Sequence, residues 1–153
     1  MACRKVQRPV TPVSWNCPES WKASLQRFAV YFRREFHYSF LQYEATGHSS
    51  DQDVHAYLFP DRTGHRWVGS CCFRKRTEVS FDYWALQWVW FHPEYRSQGT
   101  LGQAWPSLEY LNGPFVIEEP VSIEMQFFLL RKGVPESRVE GGYAIKLVNP
   151  QSI

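Results

Sequence analysis

Residues 92–105, HPEYRSQGTLGQAW, put an arginine, two glutamines and two glycines directly after the mostly apolar run WALQWVWF. These residue types at this spacing suit the binding of phosphate. Glycine lets the main chain come close to a ligand, and the start of a helix presents unpaired N–H groups at the positive end of its dipole. In RSQGTLG the N–H groups of Gln98, Gly99, Thr100, Leu101 and Gly102 form the candidate cradle. Ser97 lies within the loop, and Arg96 is a candidate charged contact. A plain surface turn before a helix has a similar composition, so the surrounding elements have to decide.

The run WALQWVWF (84–91) is apolar on both alternating faces, Trp84, Leu86, Trp88 and Trp90 against Ala85, Gln87, Val89 and Phe91. Such a run reads as a strand covered on both sides. NCPESWKASLQRFAVYFRREF reads as a helix, with Pro18 and Glu19 suited to its start. Its apolar stripe is Trp21, Leu25, Phe28, Ala29, Phe32 and Phe36, and its wet face carries Lys22, Gln26, Arg33 and Arg34. YSFLQYEA is a short strand candidate and 46–53 a loop. VHAYLF and RWVGSCCF flank the turn formers of PDRTGH as a hairpin, and KRTEVSFDY reads as a polar connection. LGQAWPSLEYLN is helical, with Pro106 expected to kink or split it. GPFVIEEP is a strand closed by proline, VSIEMQFFLLRKG a helix capped by Ser122, and SRVEGGYAIKLVN a last strand. Residues 1–14 are expected to be an extended lead-in to a single domain spanning 1–153. The pattern predicts an α/β (α+β) sheet with helices on both faces.

WVWFHPEYRSQGTLG resembles motif A of the GCN5-related N-acetyltransferases, the GNAT superfamily. That family runs its fourth strand into a P-x-Y/F-R-x-x-G-x-G/A loop that binds the pyrophosphate of coenzyme A. Pro93, Tyr95, Arg96, Gln98 and Gly99 carry the match, and Val68 and Gly69 match a VG in the preceding hairpin. The last motif position is Leu101 instead of Gly or Ala, with Gly102 one residue later. The resemblance covers most of residues 18–132. It implies a mixed, mostly antiparallel sheet with a splay between the fourth and fifth strands.

It also implies a site. In similar proteins the pantetheine arm enters the splay, where the main chain of Val89, Trp90 and Phe91 would hold it. The N–H of Phe91 or a neighbour would face the thioester oxygen. The family often places a glutamate base on the fourth strand. Gln87 stands in that region here and takes no proton at neutral pH. Glu118, Glu119, Asp82 or a water relay are the alternatives. By alternation Glu119 shares a face with Phe115 and Ile117, and Glu118 with Val116. Many relatives use a tyrosine acid on the helix after the fifth strand, where this chain has Phe127 and Phe128. Ser122 is one substitute, in a stretch, FVIEEPVS, that resembles the cohesin-acetyltransferase branch; Tyr143 is another. His92 is placed either on the cofactor or on the surface. Trp15, His37, Tyr38, Tyr43 and Glu44 are candidates for an acceptor site, where aromatic rings and a carboxylate suit a cationic amine.

The expected function is an acetyl-CoA-dependent N-acetyltransferase acting on a primary amine of a small molecule or a protein. The alternative is a catalytically degenerate GNAT-like module that binds coenzyme A or works through protein contacts. Paired subunits are common among similar proteins, which implies a homodimer. The formal net charge of +2 and the scattered arginines argue against nucleic acid as a partner. No cysteine pair has metal-ligand spacing, so no metal is expected. A disulfide framework is not expected at this size. The N-terminus lacks the apolar core of a signal peptide and no apolar run is long enough to cross a bilayer, so the expected location is the cytoplasm, with no membrane partner.

Overall fold

Five strands make one sheet in the order β1-β2-β3-β4-β5 in the computed structural model, which describes residues 9–144. They are β1 (Thr11–Val13), β2 (Val54–Pro60), β3 (Trp67–Glu78), β4 (Phe81–Phe91) and β5 (Val116–Ile117). The first four pair antiparallel, and β5 joins β4 in parallel. The helices are α1 (Glu19–Phe36), α2 (Ala45–His48), α3 (Thr100–Asn112) and α4 (Ile123–Arg131). Short 3-10 turns lie at Pro93–Tyr95 and Glu136–Arg138. This is the mixed, mostly antiparallel sheet that the resemblance implies.

Two apolar layers cover the two faces of the sheet. On one, Leu25, Phe28, Ala29 and Phe32 of α1 meet Ala56, Leu58, Cys72, Trp88 and Trp90. On the other, Ala104, Trp105 and Leu108 of α3 and Leu129 of α4 meet Phe59, Cys71, Phe73 and Leu86. The expected stripe of α1 is therefore the one that packs. Lys22 differs from expectation. It is 6% exposed, and its ammonium donates to Trp15 O and to Glu19 Oε1. α4 begins as read: Ser122 Oγ accepts from Met125 N at 3.1 Å. Cys71 and Cys72 are free, buried and on opposite layers. Cys17 is disulfide-bonded, against the expectation.

Several boundaries move. The polar stretch KRTEVSFDY belongs to a continuous hairpin: β3 pairs with β4 from Gly69–Phe91 to Glu78–Phe81, closed by Val79 and Ser80. YSFLQYEA forms no strand, and its last residue opens α2 inside the expected 46–53 loop. β5 has only two residues. In place of a last strand, Val139 makes one bridge to Ile117 and the chain turns at Gly141 and Gly142; the rest of that segment, 145–149, lies outside the described residues. The lead-in includes strand β1, and its residues 1–8 are likewise outside.

Pro106 does not split α3: the helix runs from Thr100 to Asn112. Proline has no N–H, so the carbonyl four residues earlier, that of Gly102, loses its helical donor. Lys132 Nζ, just past α4, donates to Gly102 O at 3.1 Å instead.

β4 carries an irregularity that matters for function. Cys72 pairs with Trp88 but Phe73 pairs with Leu86, so Gln87 is an extra residue, a β-bulge. It inverts the alternation. Leu86, Val89 and Phe91 face the α3/α4 layer, and Trp88 and Trp90 face α1. The single alternation read from the sequence is corrected here.

Among the described residues no helix is long and apolar enough to cross a membrane, and no cluster of three or more His, Cys, Asp or Glu is placed to hold a metal ion.

Candidate functional site

β5 pairs with β4 only at Ala85–Val116 and Leu86–Ile117, followed by one bond from Glu118 N to Leu86 O at 3.0 Å. Beyond Leu86, β4 runs on to Phe91 with no β5 partner. The expected splay is therefore present, and it opens a cleft. Phe32, Phe36 and Tyr38 line one side, Gln87 to Val89 the middle, and Val121, Ser122 and Met125 the other.

The main chain of β4 is available to this cleft. His92 N donates to Val68 O at 2.9 Å, so in an antiparallel ladder the main-chain groups of Trp90 face β3 and those of Val89 and Phe91 face the open side. Of the three residues expected to hold the pantetheine arm, Val89 and Phe91 thus present main-chain groups to the opening, and Trp90 does not.

At the end of β4 the loop enters α3. Ser97 and Gly99 have φ of 61° and 78°, in the left-handed region. Gly99 immediately precedes α3, and no side chain caps that helix. Among the described residues, the N–H groups of Gln98, Gly99, Thr100, Leu101 and Gly102 find no acceptor in the chain. An added Cβ on Gly99 would meet nothing within 4 Å, so the space in front of the turn is open. Leu101 packs inward against the α3/α4 layer and does not cover the turn. Gln98 braces the loop from its Nε2 to Glu94 O at 2.7 Å.

Arg96 departs from expectation. Its Nε donates to Phe91 O at 2.8 Å, and both terminal nitrogens donate to the Glu35 carboxylate at 2.7 Å. Trp90 Nε1 donates to the same carboxylate at 2.6 Å, and the guanidinium lies over the Trp90 ring at 5.4 Å. The guanidinium is thus engaged with α1, not aimed at the cradle. The Arg96 hydrogen bonds are the largest cause holding the Glu35 carboxyl below its ordinary range. A depressed carboxyl adds stability above its unfolded pKa of about 4.3, and that stability is lost as pH falls through the lower folded value. Glu35→Gln should therefore reduce the loss of thermal stability between about pH 5 and pH 3, and lower the melting temperature at neutral pH by about 2–4 °C. Circular-dichroism melts across that pH range check this. Glu35 was missed because it stands 61 residues from Arg96 on a helix face that reads as solvent.

The other expected residues separate. Glu118 lines the cleft, but both its oxygens are taken by Arg76, at 2.8 and 2.9 Å. Glu119 is exposed and lies against Gly141. Asp82 pairs with Lys75 at 3.4 Å on the outer hairpin. Ser122 lines the cleft as well as capping α4. Tyr143 donates its hydroxyl to Val134 O at 2.7 Å and is no cleft wall. Gln87, at the bulge, donates to Gln42 Oε1 at 2.7 Å and accepts from Arg74 Nε at 3.4 Å. His92 is exposed, with ring contacts to Trp90 and Tyr95. Of the acceptor-site candidates, Tyr38 lines the cleft, and burial raises its pKa. Tyr43 is fully buried beneath α1, so it is core and not rim. Trp15, His37 and Glu44 are exposed and outside the cleft walls.

No protein-family model matches this sequence, and no curated protein matches it by sequence. Solved structures do match it by fold. A probable acetyltransferase superposes with TM-score 0.60 at 13% identity, over 92% of this chain and 98% of its own. An aminoglycoside acetyltransferase from an uncultured soil metagenomic sample, solved with sisomicin, gives 0.58 at 7% identity, over 92% and 91%. A ribosomal-protein-alanine N-acetyltransferase from Brucella melitensis biovar Abortus 2308 gives 0.55 at 12%, over 92% and 98%. The chain has the fold of the GCN5-related N-acetyltransferases. At these identities the likeness is one of fold.

Proposed function

We propose that the protein is an acetyl-CoA-dependent N-acetyltransferase that moves an acetyl group to a primary amine. The observation that carries this reading is a coincidence of two features. The β4–β5 cleft is open, and the turn at the end of β4 holds five main-chain N–H groups without acceptors.

Coenzyme A fits these residues. The unpartnered N–H groups from Gln98 to Gly102, with open space before Gly99, suit a diphosphate. Val89 offers strand-like main-chain bonds to a pantetheine arm, and Phe91 offers its N–H, its carbonyl being held by Arg96. When bound, acetyl-CoA supplies the acyl group activated as a thioester. The free N–H at Phe91 or Val89 is placed to donate to an oxygen on which charge builds. Tyr38 is kept protonated by burial, and Ser122 keeps its own proton while its oxygen caps α4. Either hydroxyl is a candidate donor to a departing thiolate.

Among the described residues, Glu118 is the carboxylate that lines the cleft, and Arg76 holds both its oxygens. The amine therefore loses its proton to water. The aromatic side of Phe32, Phe36 and Tyr38 suits an amine carried on an apolar or cationic group. The fold neighbours include both an aminoglycoside acetyltransferase and a ribosomal-protein-alanine acetyltransferase, so a small molecule and a protein both remain as acceptor classes.

The test is calorimetry with acetyl-CoA, followed by thiol release over a panel of amines and a lysine peptide. With two good acceptors of different pKa, log kcat/KM should rise with pH and level off at each amine's own pKa. A shared inflection in the carboxylate range would overturn the water route. Absence of acetyl-CoA binding would overturn the assignment.

A further inference from the structure

We infer that Lys132 is a positioning residue for the diphosphate turn and acts through the carbonyl that Pro106 leaves without a donor. This rests on the proposed cofactor role of residues 98–102. Pro106 lies within α3 and removes the bond that would close the turn back to Gly102. Gly102 O shares its peptide with Gln103 N, which donates to Gly99 O at 2.9 Å and closes the first turn of α3, so a hold on that peptide steadies the turn from which the N–H groups of Thr100, Leu101 and Gly102 project. Lys132 Nζ takes the place of the missing donor at 3.1 Å.

Gly102 also makes room for this contact. A Cβ there would lie 3.4 Å from Lys132 Cε and 3.5 Å from Nζ, with the Phe128 ring at 3.8 Å. Lys132 caps the end of α4, whose last carbonyls its backbone N–H also meets. The link therefore ties the end of α4 to the start of α3. Gly102 reads from the sequence as a ligand-approach glycine; the structure gives it a second task, seating a lysine.

The link has a specific signature. Pro106→Ala restores an N–H opposite Gly102 O, which makes the lysine redundant at that carbonyl. Lys132→Met in the wild-type background should lower the melting temperature of the unliganded protein by about 2–4 °C. It should also weaken acetyl-CoA binding about five- to ten-fold, read by calorimetry. In the Pro106→Ala background the same substitution should change either value by less than a third as much. Lys132→Arg should retain most of both.

If Lys132→Met costs the same in both backgrounds, or nothing in either, the positioning role is wrong. An equal binding loss in both backgrounds that fades in high salt would assign Lys132 a direct charge contact instead, and would also overturn it. The melting comparison needs no cofactor. Failure of wild-type protein to bind acetyl-CoA would sink the functional assignment while leaving the melting cycle to stand or fall alone.

Discussion

Gly99→Asp should weaken acetyl-CoA binding by at least 100-fold. Gly99 holds φ at 78° immediately before α3, and the space where a side chain would grow is empty. Aspartate tolerates the left-handed conformation better than most residues, so the fold should survive. Its carboxylate would enter the space proposed for the diphosphate. Two like charges about 4 Å apart near a protein surface repel by about 4 kcal/mol, and each 1.4 kcal/mol is about tenfold in affinity. Gly99→Asn is the matching neutral variant, with the same backbone strain and no charge. It should lose less than about tenfold. Equal losses for the two would mean that backbone strain explains the effect, and unchanged binding by Gly99→Asp would remove the anion from this turn altogether. Both are read by calorimetry, with a melting curve to check folding.

Gly69→Val should destabilise the protein by about 3 kcal/mol or more, a fall in melting temperature of about 10 °C. Gly69 pairs with Phe91 on the neighbouring strand. A Cβ there would meet Phe91 Cδ1 at 2.5 Å and Trp90 O at 2.6 Å. The Phe91 ring can turn, but the Trp90 carbonyl belongs to the ladder and cannot yield without separating β3 from β4. The damage falls at the end of β4 that leads into the diphosphate turn, so cofactor affinity should drop with stability. Gly47→Ala, where an added Cβ meets nothing within 4 Å, should be close to neutral. Thermal melts of the two variants decide this; a Gly69→Val protein that melts with wild type would show the β3–β4 register to be wrong.

What the sequence disclosed follows the range of the forces involved. The loop 96–102 was legible because glycine, proline and a following helix are local signals. The stripe of α1 and the Ser122 cap of α4 were legible for the same reason. The bulge at Gln87 was not, because WALQWVWF is apolar on both faces and an extra residue leaves no break in its pattern. The Arg96–Glu35 pair was not, because contacts between distant segments leave no trace in one sequence. Tyr43 was a candidate for the acceptor site and is fully buried, since ring type says nothing of depth. The Val79–Ser80 hairpin hid in polar composition, because both strands run on past β2 and past β5, where little covers them. Pro106 was expected to kink or split α3, and the helix runs through it unbroken. Its remedy, a lysine on another helix, lay outside any local rule.

The extra residue at Gln87 absorbs one step of the chain without passing it on. Phe73 and Cys72 are neighbours on β3, and their partners Leu86 and Trp88 would be neighbours too if Gln87 were removed. A strand shortened there would be regular. It would keep Trp88 and Trp90 on α1, Val89 and Phe91 on the other layer, and the same amides turned to the open side. What would vanish is the side chain that joins Gln42 to Arg74. The bulge is thus a place where the length of this strand can change by one residue while the approach to the glycine turn stays as it is.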